Sequence, residues 1–291
     1  MKKFVLTIVV MVFAISDAYT REQDVITFQV GEATLSTLTD VHSRNTPANL
    51  IGATPEILRK YAPEGVYPAA INAFLARING KTILIDTGLG QKLKDNLRSL
   101  GTDPEQIDAV LITHAHGDHI GGLLDSSGKP AFPNADLYFS KAEHDYWKAV
   151  SGKSNALFLK IVEAYGDRLK LFVPSEPEPS NLPLAGIRAL STPGHTPGHT
   201  AFLLESDGSK LLVWGDLTHA TAIQLPHPEV AITYDVDPAQ AVATRAKVLE
   251  YVAENKIPVA GMHIAFPSVG DVRKNDGQGY LFSPFCTCLG I

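Results

Sequence analysis

The residues best suited to chemistry are concentrated in the run His114-Ala-His116-Gly-Asp118-His119. His114 and His116 follow an apolar segment, and residues two apart on an extended backbone point the same way, so one metal ion can take both. Asp118 and His119 begin the next predicted helix and leave the loop in another direction, where they can serve a second ion. Gly117 permits the sharp change of direction between the two pairs. The run therefore predicts a centre for two metal ions.

Three later residues have the setting of further ligands, because each follows a predicted apolar strand: His195, Asp216 and His263. An ionisable side chain at the end of a buried strand is a poor core residue and a good metal ligand. The two oxygens of Asp216 could bridge two ions. Two cations that share a water lower its pKa, so a metal-bridging hydroxide is expected near neutral pH. Such a hydroxide would attack an electrophilic carbon or phosphorus without a Ser or Cys nucleophile.

Alternating strands and helices position these residues. Apolar alternation and turn signals such as Asn79-Gly80 predict strands, and amphipathic stretches predict helices. Ser140 and Glu143 have the spacing of a capping box. Residues 42–68, rich in Pro, Asn and Gly, are expected to form a long excursion with one short helix near 55–61. The predicted strands cover 26–30, 35–39, 70–78, 82–85, 107–113, 135–139, 186–191, 200–205, 211–214, 259–262 and 280–285, and the other predicted helices cover 90–100, 118–124, 239–255 and a segment from Ser140.

The ordered set of seven ligand candidates resembles the pattern of the metallo-β-lactamase superfamily, and the resemblance covers nearly all of residues 25–285. It implies an α/β fold, the αββα sandwich. It also implies two divalent ions per chain, for which zinc suits the donors best, with iron, manganese and cobalt left open. Asp86, in Asp86-Thr87-Gly88, would support a ligand His or the loop. By the same resemblance the first ion is held by His114, His116 and His195, the second by Asp118, His119 and His263, and Asp216 bridges them.

The resemblance also bears on the substrate. Asp216 argues against a main β-lactamase activity, since enzymes of that group generally place Cys or Ser there. Glyoxalase II-like enzymes usually carry a C-terminal helical region with basic residues, whereas the short tail after His263 offers only Arg273 and Lys274. The chain is most similar to the methyl parathion hydrolase-like and quorum-quenching lactonase-like branches. A hydrolase of acyl-homoserine-type lactones with ester or phosphotriester side activity is expected. The alternatives are an organophosphate hydrolase, a thioester or β-lactam hydrolase, and a non-catalytic metal-binding protein.

Several residues are candidates for contacts with the substrate. His219 stands where many acyl-homoserine lactonases carry a Tyr, three residues after the bridging Asp, and could donate a hydrogen bond to the substrate or support a ligand. Asp118 could also carry a proton to the leaving group. His199 is expected to hydrogen-bond the backbone or support a ligand. The candidate apolar walls of the substrate pocket, for which core packing is the alternative, are Trp147, Phe266 and Phe282.

The first residues have the features of a cleavable signal peptide over 1–18. Lys2 and Lys3 precede an uncharged run over 4–15, and Ser16 and Ala18 give a cleavage site. The run is shorter than the roughly 20 residues that span a bilayer, so no stable membrane anchor is expected. Residues 19–291 are then expected to form one periplasmic or secreted catalytic domain.

Charge and cysteine content narrow the partners. The formal net charge of −6 argues against nucleic acid, which leaves a small-molecule substrate. A homodimer stays open. Cys286 and Cys288 are too close in sequence for an unstrained disulfide and are interpreted as ordinary thiols.

Overall fold

The computed structural model describes residues 23–150 and 155–285. The predicted signal peptide, Cys286 and Cys288 lie outside these ranges. Among the described residues, no helix combines the length and the apolar character needed to cross a membrane.

The strands of the described residues form two seven-stranded sheets and one small two-stranded sheet. In chain order they are β1 (Val25–Val30), β2 (Ala33–Asn45), β3 (Leu50–Ile51), β4 (Tyr67–Ile78), β5 (Lys81–Ile85), β6 (Ala109–Leu111), β7 (Asp136–Ser140), β8 (Leu169–Phe172), β9 (Ser180–Asn181), β10 (Ile187–Ser191), β11 (Thr200–Ser206), β12 (Ser209–Val213), β13 (Ala231–Ile232), β14 (Val259–Ala260), β15 (Val269–Lys274) and β16 (Tyr280–Pro284).

The α-helices follow and precede these strands along the chain, and in space they lie outside the sheets. They are α1 (Pro55–Tyr61), α2 (Leu93–Ser99), α3 (Gly117–Ile120), α4 (Lys141–Ala149), α5 (Ala156–Tyr165), α6 (Thr221–Gln224) and α7 (Pro238–Asn255).

The first sheet has the order β1-β2-β4-β5-β6-β7-β8, and the second has the order β16-β15-β14-β12-β11-β10-β9. β5, β6, β7 and β8 run parallel to one another, and β12 runs parallel to β14. Loops that follow parallel strands leave from the same edge of a sheet. The loops after β12 and β14 therefore leave the same edge of the second sheet. The loop after β6 lies beside them, since His114 Nε2 is 3.6 Å from Asp216 Oδ2.

The core explains the layering. Phe74 and Leu111 of the first sheet pack against Phe202 and Val213 of the second, which fills the space between the sheets. The outer face of the first sheet is covered by α2, α4 and α5, and the outer face of the second by α7. The predicted αββα sandwich is confirmed.

Some predicted boundaries are wrong. β2 continues past residue 39 to Asn45, with an irregularity at Asp40, and so takes up the start of the excursion predicted for 42–68. The helix predicted over 118–124 ends at Ile120 and tightens into a 3-10 turn, because Gly121 and Gly122 press against the backbone of residues 87–89. The patterns of α5, β8 and β15 were not recognised in the sequence.

Candidate metal centre

Five loop or helix positions bring the predicted ligands together at one end of the sandwich. The loop after β6 carries His114 and His116, and α3 carries Asp118 and His119. His195 lies in the loop between β10 and β11, Asp216 follows β12, and His263 follows β14. His114, His119, His195, Asp216 and His263 are all buried.

The first group of donors is a triangle of imidazole nitrogens. His114 Nε2 and His116 Nδ1 are 3.0 Å apart, and His195 Nε2 lies 3.1 Å from the former and 3.0 Å from the latter. A ring nitrogen holds either one proton or one lone pair, so three nitrogens cannot satisfy three mutual hydrogen bonds. A cation that all three lone pairs face would satisfy them together. Zinc–nitrogen bonds of about 2.0–2.1 Å place tetrahedral ligand atoms roughly 3.3–3.4 Å apart, close to the observed spacing.

The second group combines two imidazoles with Asp118. His263 Nε2 lies 3.5 Å from Asp118 Oδ2, and His119 Nε2 lies 3.8 Å from Asp118 Oδ1. Asp216 stands between the groups, with Oδ2 3.3 Å from His195 Nε2 and 3.1 Å from His263 Nε2. This position is the one that a bridging carboxylate requires.

Two buried atoms support the fit to metal. His119 Nε2 and Asp216 Oδ1 lie 3.2 Å apart, yet neither has a hydrogen-bond partner among the described residues. Buried polar atoms are nearly always satisfied in folded proteins. Two buried atoms of metal-binding type that lack hydrogen-bond partners in one place are suited to bind a cation. The seven candidate ligands together are suited to hold two metal ions.

The far ring nitrogens of three ligands are bound by the protein. His119 Nδ1 lies 2.6 Å from Asp86 Oδ2, His195 Nδ1 lies 2.8 Å from Asp235 Oδ1, and His263 Nδ1 lies 2.9 Å from the carbonyl oxygen of Ala70. Such contacts favour the tautomer that would present a lone pair to a bound metal ion. Asp86 also accepts hydrogen bonds from the backbone N–H and hydroxyl of Thr113, at 2.8 and 2.7 Å, and so holds the loop that leads to His114. Asp235 was missed in the sequence.

His199 lies behind the bridging carboxylate. Its Nε2 accepts a hydrogen bond from the backbone N–H of Asp216 at 3.0 Å, and its Nδ1 lies 2.8 Å from Thr192 Oγ1. Burial lowers the pKa of His199 to about 3, which keeps the ring neutral and able to accept that bond. The structure thus places His199 in support of Asp216.

The capping box predicted for Ser140 and Glu143 is only half formed. Ser140 Oγ accepts from the Glu143 N–H at 3.1 Å, as a capping box requires, but the Glu143 carboxylate does not return to Ser140. It accepts instead from the backbone N–H of Ala115 at 2.8 Å, from Thr196 Oγ1 at 2.6 Å and from the N–H of Gly198 at 3.1 Å. Glu143 therefore ties the loop of His114 and His116 to the loop of His195.

The charge states of two ligands follow from their surroundings. Burial and the neighbouring His195 lower the pKa of His116 to about 3, so His116 presents a lone pair at neutral pH. Burial would also lower the pKa of His195, but the carboxylates of Asp216 and Asp235 raise it to about 9. A cation that binds at the triangle therefore replaces a proton on His195.

A cavity of about 690 Å³ opens over the donors. Its floor includes His116, Asp118, Asp216, His219 and His263. Its walls come from three other parts of the chain, namely the end of β2 with the segment after it, the first half of β4, and β13 with the turn after it. These wall residues include Arg44, Asn45, Asn49, Tyr67, Ile71, Ile232 and Tyr234.

The three aromatic residues predicted as pocket walls lie elsewhere. Trp147 is buried behind His116, with ring centroids 5.6 Å apart, and its Nε1 donates to Glu143 at 2.7 Å. Phe266 and Phe282 line a separate apolar cavity of about 410 Å³ beside Tyr61. Phe266 lies in the turn after His263, and Phe282 lies on the edge strand β16.

His219 lies beside the donors at the cavity floor. Its Nε2 is 3.0 Å from Asp216 Oδ2, and its ring stacks on that of His263 at a centroid distance of 4.8 Å. Its Nδ1 is buried without a hydrogen-bond partner in the described part of the chain. Asp216, His219 and His263 also form a possible ligand group of their own, so the geometry allows His219 to contact a metal, Asp216 or the substrate.

Comparison with known proteins identifies the superfamily of this chain. A family profile described as the metallo-beta-lactamase superfamily matches residues 66–255. The chain belongs to the metallo-beta-lactamase superfamily. The matched residues include all four members of the His114–His119 run as well as His195 and Asp216, while His263 lies beyond the match.

Two solved structures are similar to this chain over most of their length. A protein described as hydrolase AbOPH in the beta lactamase superfamily is 31% identical with a TM-score of 0.79, and the alignment covers 91% of this chain and 99% of that one. A dizinc quorum-quenching lactonase, AidC, in complex with the product N-hexanoyl-L-homoserine, is 27% identical with a TM-score of 0.82, over 90% of this chain and 97% of that one.

A curated relative is named for thioester hydrolysis instead. An atrochrysone carboxyl ACP thioesterase from Passalora fulva is 28% identical over 184 residues, or 58% of this chain and 45% of the relative. This chain thus spans less than half of that relative's length. The superfamily membership fixes a hydrolase fold with a metal-binding cluster, and the similar proteins differ in substrate.

Proposed function

We propose that this chain is a dinuclear metal-dependent hydrolase whose main substrates are lactones of the acyl-homoserine type. The observation that carries the proposal is the convergence of seven His and Asp donors beneath a cavity of about 690 Å³. A cavity of this size suits a small molecule rather than a polymer. The similarity to a dizinc lactonase over nearly the whole chain supports the choice of lactones.

The two ions would be held by the two donor groups described above, with Asp216 shared between them. When bound, they supply the Lewis acidity that activates a water and polarises the scissile carbonyl. The nature of the ions stays open, and zinc is the proposed choice because imidazole and carboxylate donors suit it.

The chain's own residues then bind, orient and transfer protons. His219 lies at the cavity floor next to Asp216, where its N–H can hold either that carboxylate or a substrate oxygen in place. The side chain of Asp118 is 29% exposed and lines the cavity. We assign to Asp118 the uptake of a proton from the attacking water and its transfer to the leaving oxygen, because Asp118 is the carboxylate of the donor set most open to the cavity.

Thioester hydrolysis is the second candidate function, favoured by the similarity to a fungal thioesterase. Phosphotriester hydrolysis uses the same polarisation of an oxygen and stays a possible side activity. Export through a signal peptide is part of the proposal for the full chain. N-terminal sequencing of the exported protein tests this part, and a mature protein that begins at Met1 would contradict it.

A substrate panel tests the proposal. Purified protein with its metal content measured is assayed with N-hexanoyl-homoserine lactone, a p-nitrophenyl ester, a phosphotriester and an acyl thioester. We expect the highest kcat/KM for the lactone. A protein that holds two metals per chain but prefers the thioester supports the second candidate, and one that turns over none of the four contradicts the hydrolase assignment.

A further inference from the structure

The mouth of the cavity carries a hydrogen-bonded pair that the metal chemistry does not use. Asn49 Nδ2 donates to the phenolic oxygen of Tyr234, and both residues line the cavity. Tyr234 is 51% exposed, and its ring centroid is 5.9 Å from that of His219. Because the phenolic oxygen accepts the bond from Asn49, the phenolic proton is left to donate to another group.

The backbone around Tyr234 is fixed with respect to the metal donors. On one side, Asp235 binds His195 Nδ1 at 2.8 Å, and the N–H of Val236 donates to the carbonyl of His195 at 3.0 Å. On the other side, β13 pairs with β3, and the N–H of Thr233 donates to the carbonyl of Asn49 at 2.9 Å. The phenol is therefore held at a set position above the metal ligands.

The wall beneath this pair is also polar. Tyr67 lines the cavity and is 3% exposed. Burial raises its pKa, with a smaller contribution from the nearby Tyr234, so the phenol of Tyr67 is neutral. Asn45, which lies opposite Tyr67 in the pairing of β2 with β4, also lines the cavity. A substrate bound with its scissile carbonyl at the metals thus meets hydrogen-bonding groups a few bonds away from the reacting carbon.

We propose that Tyr234, held by Asn49, determines specificity by donating a hydrogen bond to an acceptor next to the scissile ring. In an acyl-homoserine lactone this acceptor is the exocyclic amide carbonyl. The inference rests on the proposed lactone hydrolysis, and it adds the requirement that preferred lactones carry such an acceptor.

Matched substrates and variants separate this contact from general damage. Tyr234→Phe removes the hydroxyl and keeps the ring beside His219. Tyr251→Phe, on α7 and outside the cavity, is the control. The two substrates are N-hexanoyl-homoserine lactone and γ-nonalactone, which has the same ring size and an alkyl chain but no amide. For Tyr234→Phe we expect kcat/KM to fall about five- to tenfold on the amide-bearing lactone, the effect of one hydrogen bond, and less than about twofold on γ-nonalactone.

A binding measurement gives a second readout. Calorimetry with zinc-loaded protein and the product N-hexanoyl-homoserine should show a Kd about five- to tenfold higher for Tyr234→Phe than for the wild type or for Tyr251→Phe. Asn49→Ala should change the Kd in the same direction by a smaller factor, because the phenol keeps its hydroxyl but loses its anchor.

The outcomes distinguish the two proposals. An equal loss on both lactones, or a loss on neither, overturns the role of Tyr234 while lactone hydrolysis stands. If the wild type hydrolyses no lactone, the proposed function fails, and the product Kd alone then decides on Tyr234. An unchanged Kd in Tyr234→Phe overturns the inference in either case.

Discussion

Replacing Asp235 with asparagine should weaken metal binding through the tautomer of His195. In the native protein, Asp235 Oδ1 accepts from His195 Nδ1 at 2.8 Å, and Oδ2 accepts from the N–H of Ile232 at 3.2 Å. An asparagine has only one such oxygen. If that oxygen faces Ile232, the amide NH₂ faces His195 and favours the tautomer with a proton on Nε2, the nitrogen that faces His114 and His116. If the oxygen faces His195, two N–H donors oppose each other at Ile232.

Both orientations cost binding free energy. Loss of a carboxylate that orients a ligand His reduces metal affinity by about 10- to 100-fold, or about 1.4–2.7 kcal/mol. Zinc affinity is measured by competition with a chromophoric chelator, and denaturant unfolding of the metal-free protein shows whether the variant is folded. We expect one of the two zinc ions to bind at least about tenfold more weakly in Asp235→Asn.

The same substitution two residues away is the matched control. Asp237 is exposed and caps α7 by accepting from the N–H of Gln240 at 2.9 Å. Asparagine caps helices about as well as aspartate, so Asp237→Asn should keep wild-type zinc affinity. If Asp235→Asn is folded and binds both ions as tightly as this control, the reasoning about the His195 tautomer is refuted.

Three further substitutions probe the supports of the site. Asn72 Nδ2 donates to three carbonyls in the turn that carries His263, at 2.9–3.2 Å. Asn72→Asp should lower the free energy of unfolding in urea by about 3 kcal/mol at pH 7. Because burial raises the folded-state pKa of the new carboxyl, this loss should shrink as pH falls. A loss that stays constant with pH would contradict the reasoning. Gly198→Ala should lower the Tm strongly, since a Cβ would lie 2.0 Å from the backbone nitrogen of Glu143. Gly277→Ala is the control, because a Cβ there meets nothing within 4 Å. Equal Tm values for the two variants would contradict the close packing at Gly198. His219→Phe should keep two zinc ions by metal analysis and lower kcat about tenfold or more, whereas loss of one ion would make His219 a ligand.

The candidate ligands, which the structure brings together, could be found in the sequence because their signals are local. The His114–His119 run follows an apolar strand directly, and Asp216 and His263 each stand at the end of another strand. A strand end at the edge of a sheet fixes where its side chain lies, so residue type and strand position together indicated the candidates. Their division between two ions came from the resemblance to the superfamily. Asp86, at the end of β5, was expected from the resemblance to the metallo-β-lactamase superfamily, whose motif the segment Asp86-Thr87-Gly88 matches.

The residues that hold the ligands were not predictable, because tertiary packing alone brings them to the site. Asp235 binds His195 from 40 residues away, in a turn with no motif of its own. Glu143 has a local capping signal, and Ser140 does cap α4, but the carboxylate turns to donors in two other loops. The local pattern predicted the Ser140 cap correctly, but it could not show the donors that compete for the Glu143 carboxylate.

The cavity walls were missed for a related reason. Their positions depend on the pairing of β3 with β13, two strands of two residues each whose partners are far apart in sequence. Hydrophobicity suggested Trp147, Phe266 and Phe282 as walls, yet the first lies in the core and the other two line a different cavity. Polar residues such as Asn49 and Tyr234 have no periodicity that indicates a pocket.

A zinc titration of metal-free protein tests the dinuclear centre most directly. Protein stripped by a chelator is titrated with zinc while hydrolysis of N-hexanoyl-homoserine lactone is followed, and bound metal is counted at each step. The two donor groups, joined by Asp216, predict that activity requires two equivalents of zinc per chain and that Asp216→Ala abolishes it. Full turnover with one equivalent, or with none in the presence of chelator, would contradict the account.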